Sequence, residues 1–278
     1  GGEHADNNID MQEFMITPVE RTSFRDGFEK IVNTYHTLKK VLEDEGYSTG
    51  LGDEGGFAPN LNSSEEALQM LHDAIVKAGY TPGKEIAIAF DAAASYFYNK
   101  DKKVYELEGN TYTADELGEY YGKLLKEFPE IISIEDPYSE DDWENFAKFT
   151  KNYGDRVQIV ADDPVCTNPK LIRKAIEMGL ANSILIKLNQ IGTVTETLEA
   201  IRLARKNGYT TMMSHRSGET GDTFVADFTV ATNAAELKSG APARSERVEK
   251  YNQLLRIENQ LGEDGTRLAH FPNDVDFD

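Results

Sequence analysis

Cysteine is nearly absent: the 278 residues hold one, Cys166. A lone thiol excludes a disulfide within the chain and fits a reducing cytosol. Long apolar runs are absent as well. None approaches the roughly 18 residues that a membrane-spanning helix needs, and no signal-peptide pattern stands at the start. Positive charge is scarce, with 29 Lys and Arg against 49 Asp and Glu and a formal net charge of −20. That balance argues against nucleic acid and anionic membrane surfaces as partners. There is no low-complexity tract, no sequence-level repeat and no inter-domain linker. An initiator Met is missing too: the chain opens at Gly1-Gly2-Glu3-His4. It reads as part of a longer chain, so a missing N-terminal signal excludes little.

What is present is a rhythm. Six short apolar runs each end in a charged or catalytic-type residue: Ile86–Asp91, Ile131–Glu135, Val157–Asp162, Ile184–Lys187, Thr210–His215 and Glu236–Lys238. A helix-like segment follows each. Strand then helix, repeated, predicts a parallel sheet with right-handed crossovers. A reactive residue at the end of strand after strand predicts a TIM-type (β/α) barrel with its active site at that mouth. The length suits one such barrel, typically about 250 residues, and 39% hydrophobic residues can fill its core.

Ahead of the series, residues 1–22 read as a loop and then a strand around Phe14-Met15-Ile16. Phe24, Phe28, Ile31, Tyr35, Leu38 and Leu42 recur at helical spacing, giving a helix from Ser23 to Gly46. The Gly-rich stretch 46–60 is long for a loop in a compact domain, a length usually tied to function or disorder. Ser63 with Glu66, and Thr113 with Glu116, have the spacing of capping boxes. Asn168-Pro169 supplies an N-cap and a proline at the first helical position. A last helix runs from Ser245 to Leu261 and stops at Gly262. Residues 1–262 are therefore read as one domain and 263–278 as a mobile tail.

Asp91, Glu135 and Asp162 close three consecutive strands. Strands lie about 4.8 Å apart, so these carboxylates would share one small volume. Like charges so placed call for a cation. Oxygen donors without Cys or His favour a hard ion, Mg²⁺ first. Each Asp taken singly has a bland reading, as a helix cap or an ion-pair partner. Lys187 ends the next strand; burial and a nearby dication would lower its pKa and make it a base. Its bland reading is an ion pair with Asp162. The run 214–219 (SHRSGE) offers donors to a phosphate or carboxylate, though loops are polar anyway. Lys238 could hold a second anion; alone it reads as a surface lysine. Glu54 sits between glycines that let backbone approach a ligand, or else in a solvated turn. His4 and Glu13 are ambiguous on spacing. His36, His72 and His270 read as surface residues.

These residues bring a family into view. GGEHADNNIDMQEFM (1–15), GDEGGFAPN (52–60), IEDP (134–137), ADD (161–163), IKLNQIGT (186–193), SHRSGET (214–220) and KYNQLLRIE (250–258) make the chain resemble the enolase family from residue 1 to about 262. The resemblance implies a Mg²⁺-dependent lyase that interconverts 2-phosphoglycerate and phosphoenolpyruvate plus water in glycolysis and gluconeogenesis. It implies Mg²⁺ ligands at Asp91, Glu135 and Asp162, Lys187 as the carbon base, and Glu54 as the acid with Glu13 beside it. It implies substrate contacts from His4, Glu13, Glu135, Asp162, His215, Arg216, Ser217 and Lys238. A lysine base with Mg²⁺ holding the enediolate is the superfamily's known pattern, not a deduction from this chain. A cytoplasmic location and a homo-oligomer at full length are implied too, with cell-surface display as a secondary location.

The resemblance also sets limits. The family's N-terminal α+β domain is not among these residues, nor is its first barrel strand, so the (β/α)8 barrel is expected to lack one strand. The isolated chain is then expected to be weakly active or inactive. Pro164 and the tail HFPNDVDFD depart from the family's pattern. Two alternatives stand: a non-catalytic interaction or surface-displayed fragment, and another dehydratase of the superfamily.

Overall fold

A computed structural model describes residues 1–266, 268 and 269. The apolar stretch before the first helix forms β1 (Glu13–Pro18). Two helices follow, α1 (Phe24–Asp44) and α2 (Ser64–Lys77), each with a serine cap, Ser23 or Ser63. Then comes β2 (Ile86–Asp91), buried at every residue. A small antiparallel sheet of β3 (Tyr98–Asn99), β4 (Val104–Leu107) and β5 (Asn110–Tyr112) sits between β2 and α3 (Ala114–Glu127). The rhythm then runs β6 (Ile131–Glu135), α4 (Trp143–Tyr153), β7 (Gln158–Ala161), α5 (Pro169–Met178), β8 (Ser183–Ile186), α6 (Leu188–Ile191), α7 (Val194–Lys206), β9 (Thr210–Ser214), α8 (Phe224–Ala231), β10 (Glu236–Lys238) and α9 (Ser245–Gly265).

The large sheet has the order β1-β2-β6-β7-β8-β9-β10. From β2 onward every neighbour is parallel. Buried on both faces, the strands before β10 need the near-continuous apolar runs seen in the sequence; β10 is only half-buried at Glu236 and Leu237. The sheet curls as part of a TIM-type barrel, with seven strands among the described residues where a closed barrel has eight. β1 departs from the parallel rule: it pairs antiparallel with β2, with Glu13 opposite Asp91. The cause is the connection. One long helix returns the chain to the side where the strand began and makes the next strand parallel, as α7 does after the single turn of α6; two long helices, α1 and α2, deliver it to the opposite side.

β1 and β10 end the sheet order, and beside them lies a cavity of about 820 Å³. Phe14, Ile16, Leu38, Leu237, Leu254 and Ile257 are among its apolar walls.

Most local signals hold, with departures at Ser63, Gly262 and His72. Thr113 and Glu116 form the full reciprocal capping box, and Asn168 caps a helix that starts with Pro169. Ser63 accepts from Glu66 N, but the Glu66 carboxylate turns to Asn62 N and Tyr47 Oη, so only half of that box forms. α9 breaks at Gly262, whose φ of 69° is non-helical, and helix resumes to Gly265. Most of the expected tail, residue 267 and 270–278 with His270, lies outside the described residues. His72 is not a free surface residue: its Nδ1 is 2.6 Å from the buried Glu130 carboxylate. No described helix is long and apolar enough to cross a membrane.

Candidate active site

Strand geometry gathers the predicted residues at one mouth. β2 ends at Asp91 and β6 at Glu135, and these two face each other in register. Because β1 runs antiparallel, its first residue, Glu13, reaches the same end. Asp162 follows β7, Lys187 follows β8, His215 follows β9, and Lys238 closes β10. Left-handed backbone at non-glycine residues accompanies these ends: Ala93, Asp136, Cys166 and Thr167 all have positive φ. Strain of this kind survives only where surrounding contacts enforce it, and it clusters at functional sites.

Lys238 is the centre of charge. Its ammonium lies 2.7 Å from Glu13 Oε2, 3.3 Å from Asp91 Oδ2 and 2.9 Å from Glu135 Oε2. It is buried, which corrects the surface reading of this residue. Burial works against its charge, but Glu13, Glu135 and Asp91 outweigh that and raise its pKa well above the ordinary lysine value. One ammonium cannot balance three carboxylates. Burial pushes Asp91 upward despite Lys238, helped by Glu13 and Asp162, and pushes Glu135 well upward, helped by Asp91 and Asp162. Burial also opposes the charge on Glu13, yet Lys238 and the close His4 imidazole hold it well below its ordinary value.

Lys187 lies 2.5 Å from Asp162 Oδ2, so the ion pair weighed as its bland reading is present. Burial does depress the lysine, as expected, but Asp162 and Glu135 outweigh it and its pKa is raised. The lowering expected from burial is thus reversed in this arrangement, because attraction to Asp162 and Glu135 exceeds the cost of burying the charge.

A second cluster, around Glu54, is built from three segments. His4, in a short 3-10 turn, has Nδ1 3.2 Å from Glu13 Oε1 and 3.5 Å from Glu54 Oε1. Burial disfavours its imidazolium, but the nearby carboxylates of Glu13 and Glu54 raise its pKa. The Glu54 loop docks on the approach to α9: Glu54 O accepts from Ala241 N, and Gly52 O from Arg244 Nε. Glycine is required on both sides of that contact. A Cβ on Gly240 would meet Glu54 O at 2.5 Å, and one on Gly55 would meet Ala243 O at 2.8 Å, both at positive φ. His215 is buried, with Nε2 3.3 Å from Glu54 Oε2. Arg216 reaches Asn189 Oδ1 at 2.6 Å, and Ser217 is exposed at the rim.

Two groups have ligand-type atoms within 4.8 Å of one another among the described residues: His4–Glu13–Glu54 and Asp136–Asp162–Asp163. Asp162 is in the second; Asp91 and Glu135 instead share Lys238. Sequence reasoning did not single out Asp136. Its buried carboxylate accepts Asp162 N and Asp163 N, both at 2.9 Å, and so fixes the turn that carries Asp162. Nor did it single out Arg247, fully buried between the loops. Arg247, Lys250 and Leu254 recur at three-to-four spacing on the inner face of α9, and cations on an apolar face were the available signal.

A sequence profile described as "Enolase, C-terminal TIM barrel domain" matches residues 1–270. The chain is 81% identical over all 278 residues to "Enolase 2" of Lactiplantibacillus plantarum and 74% identical to "Enolase 2" of Lactobacillus johnsonii. It is 72% identical over 272 residues to "Enolase" of Lactobacillus delbrueckii subsp. bulgaricus. It spans 65% of the length of each of the first two proteins and 64% of the third.

Proposed function

The chain belongs to the enolase family, matching its C-terminal barrel domain, and on that premise we propose that its mouth interconverts 2-phosphoglycerate and phosphoenolpyruvate plus water. The observation that carries the reading is the meeting at one sheet end of a lysine on a carboxylate, Lys187 on Asp162, with a separate acid group of Glu54, His4 and His215. Proton removal from one carbon and hydroxide loss from its neighbour need two such groups.

Lys187 Nζ takes the proton from the carbon next to the carboxylate. The carbon–carbon double bond forms as the hydroxyl on the next carbon leaves, taking a proton from Glu54 and departing as water. Glu13 lies beside this acid through His4 and holds its own charge through Lys238. His4, His215, Arg216, Ser217 and Lys238 contact the substrate, with Glu135 and Asp162 at its carboxylate side.

The donor set fits a divalent cation. Asp91, Glu135 and Asp162 offer buried oxygen atoms, and burial with repulsion from neighbouring carboxylates holds Asp91 and Glu135 towards protonation. Oxygen-only donors suit Mg²⁺. When bound, Mg²⁺ would stabilise the negative charge that develops on the substrate carboxylate. Residues 1–262 act as one barrel domain in this reading, in a cytoplasmic homo-oligomer.

The test is phosphoenolpyruvate production from 2-phosphoglycerate and Mg²⁺ by the product of the full coding sequence. Turnover that stops with Lys187→Ala supports the proposal. Unaltered turnover in that variant, or none in the unaltered protein, would overturn it.

A further inference from the structure

The geometry points to Arg247 as a positioning residue that holds His215 in its Nε2–H tautomer and ties the His215 loop to the Glu54 loop. Arg247 stands on α9, outside every strand end that forms the site, and is 1% exposed. Its guanidinium bonds to two segments at once. Nη1 is 2.6 Å from His215 Nδ1 and donates to Arg216 O at 2.6 Å. Nη2 donates to Ser217 O at 2.6 Å and to Asp53 O at 3.3 Å. Three of the four partners lie in the loop after β9, and the fourth precedes Glu54.

The chemistry of guanidinium decides the histidine's state. It carries only donors and keeps its proton at any pH a folded protein meets. At 2.6 Å, His215 Nδ1 must therefore be the acceptor. A neutral imidazole that accepts at Nδ1 carries its proton at Nε2. That nitrogen lies 3.3 Å from Glu54 Oε2 without forming a hydrogen bond to it, and Nε2 has no other partner among the described residues. His215 is 2% exposed. A buried N–H held without a partner, beside the carboxyl proposed as the acid, is a donor reserved for a group that arrives there.

Lysine cannot replace this arrangement. Its ammonium is a single point, whereas the fork reaches four acceptors on two loops. Lys250, one turn along α9, secures the same loop further on through Thr220 O and Glu219. The loop therefore stays attached to α9 when Arg247 alone is changed.

The role assigned to Arg247 rests on the proposed acid–base reading for its use, but its test does not need turnover. Full-length protein labelled with ¹⁵N-histidine is compared with a His215→Gln control that identifies the His215 resonances. The expected result is an unprotonated Nδ1 and a protonated Nε2 at neutral pH. Arg247→Met, which removes every donor, is expected to bring in the Nδ1–H form. Arg247→Lys is expected to restore the Nε2–H form in part and to lower turnover by about 100-fold, the scale of a 1 Å displacement. A protonated Nδ1 in the unaltered protein overturns the assignment, whether or not the variants fold. An unchanged tautomer in a folded Arg247→Met overturns it as well. An inactive protein with the expected tautomer would count against the lyase reading and leave the Arg247 assignment standing.

Discussion

Lys187 cannot abstract a proton while it is held protonated, and Asp162 at 2.5 Å holds it so. The same carboxylate is the proposed ligand of a divalent cation. A cation on Asp162 would take up the charge that raises the lysine pKa, so metal binding and base activity are coupled through one residue. Asp162→Asn is expected to weaken Mg²⁺ affinity by more than about tenfold, the low end for losing even an outer partner of a metal site. The fold should persist, because the change removes one charge from a repelling cluster. Calorimetric titration checks this, and unchanged affinity would sink the ligand assignment. Acid and base should also separate kinetically. Lys187→Ala is expected to abolish exchange of the substrate's α-proton with solvent. Glu54→Gln should leave exchange measurable while elimination falls by about 100-fold or more, within the usual worth of a general acid. The opposite pattern would exchange the two roles.

At the scale of elements, β10 carries a group that the proposed chemistry does not use. Glu236 lines the large cavity and is only partly covered as a residue, yet its Oε2 is inaccessible and without a partner among the described residues. Its Oε1 accepts from Gln158 Nε2 at 2.7 Å, within a network that continues to Ser133 and Thr210. Burial pushes this carboxyl up to about 8, against the single hydrogen bond that lowers it. In the unfolded chain it would titrate near 4.5. Below both values it is protonated in either state. Between them the unfolded chain binds fewer protons, so stability falls as pH rises from about 4.5 to about 8 and then levels. Glu236→Gln keeps the acceptor for Gln158 and removes the titration. Its urea midpoint should exceed that of the unaltered protein above about pH 5, with a flatter pH profile. Parallel profiles for the two would refute the shift. The run Glu236–Lys238 was readable as a strand by its place in the series, and β2 and β6 residue for residue, because two-sided burial demands apolar runs. The reversed direction of β1 was not, since it follows from counting crossovers rather than from any local pattern. β3 to β5 are too short to leave a period. The placement of Lys238, Asp136 and Arg247 depends on partners far along the chain, and no local spacing encodes that.

At the scale of the whole molecule, the sheet has an open side among the described residues. β1 and β10 end the sheet, both contribute residues to the site through Glu13 and Lys238, and the cavity of about 820 Å³ lies between their flanking elements. The Lys238–Glu13 ion pair joins the two edges at the mouth. Beyond it, apolar side chains such as Phe14, Leu237 and Ile257 face the cavity. Strand edges without partners invite association with other chains. A barrel also fixes its mouth through closure, since strand tilt and register are set around the full circle. The relatives are longer, and the chain spans 65% of the first of them. We expect the 278 residues expressed alone to aggregate readily and to turn over at least about 100-fold more slowly than the product of the full coding sequence. That factor is what roughly 1 Å of misplacement costs, and here the misplaced edges would carry Glu13 and Lys238 themselves. The measurement is phosphoenolpyruvate production at saturating Mg²⁺ by both proteins, with light scattering for association. Comparable turnover would mean that the ion pair between β1 and β10 suffices to hold the mouth in register, and that the open side is immaterial to catalysis.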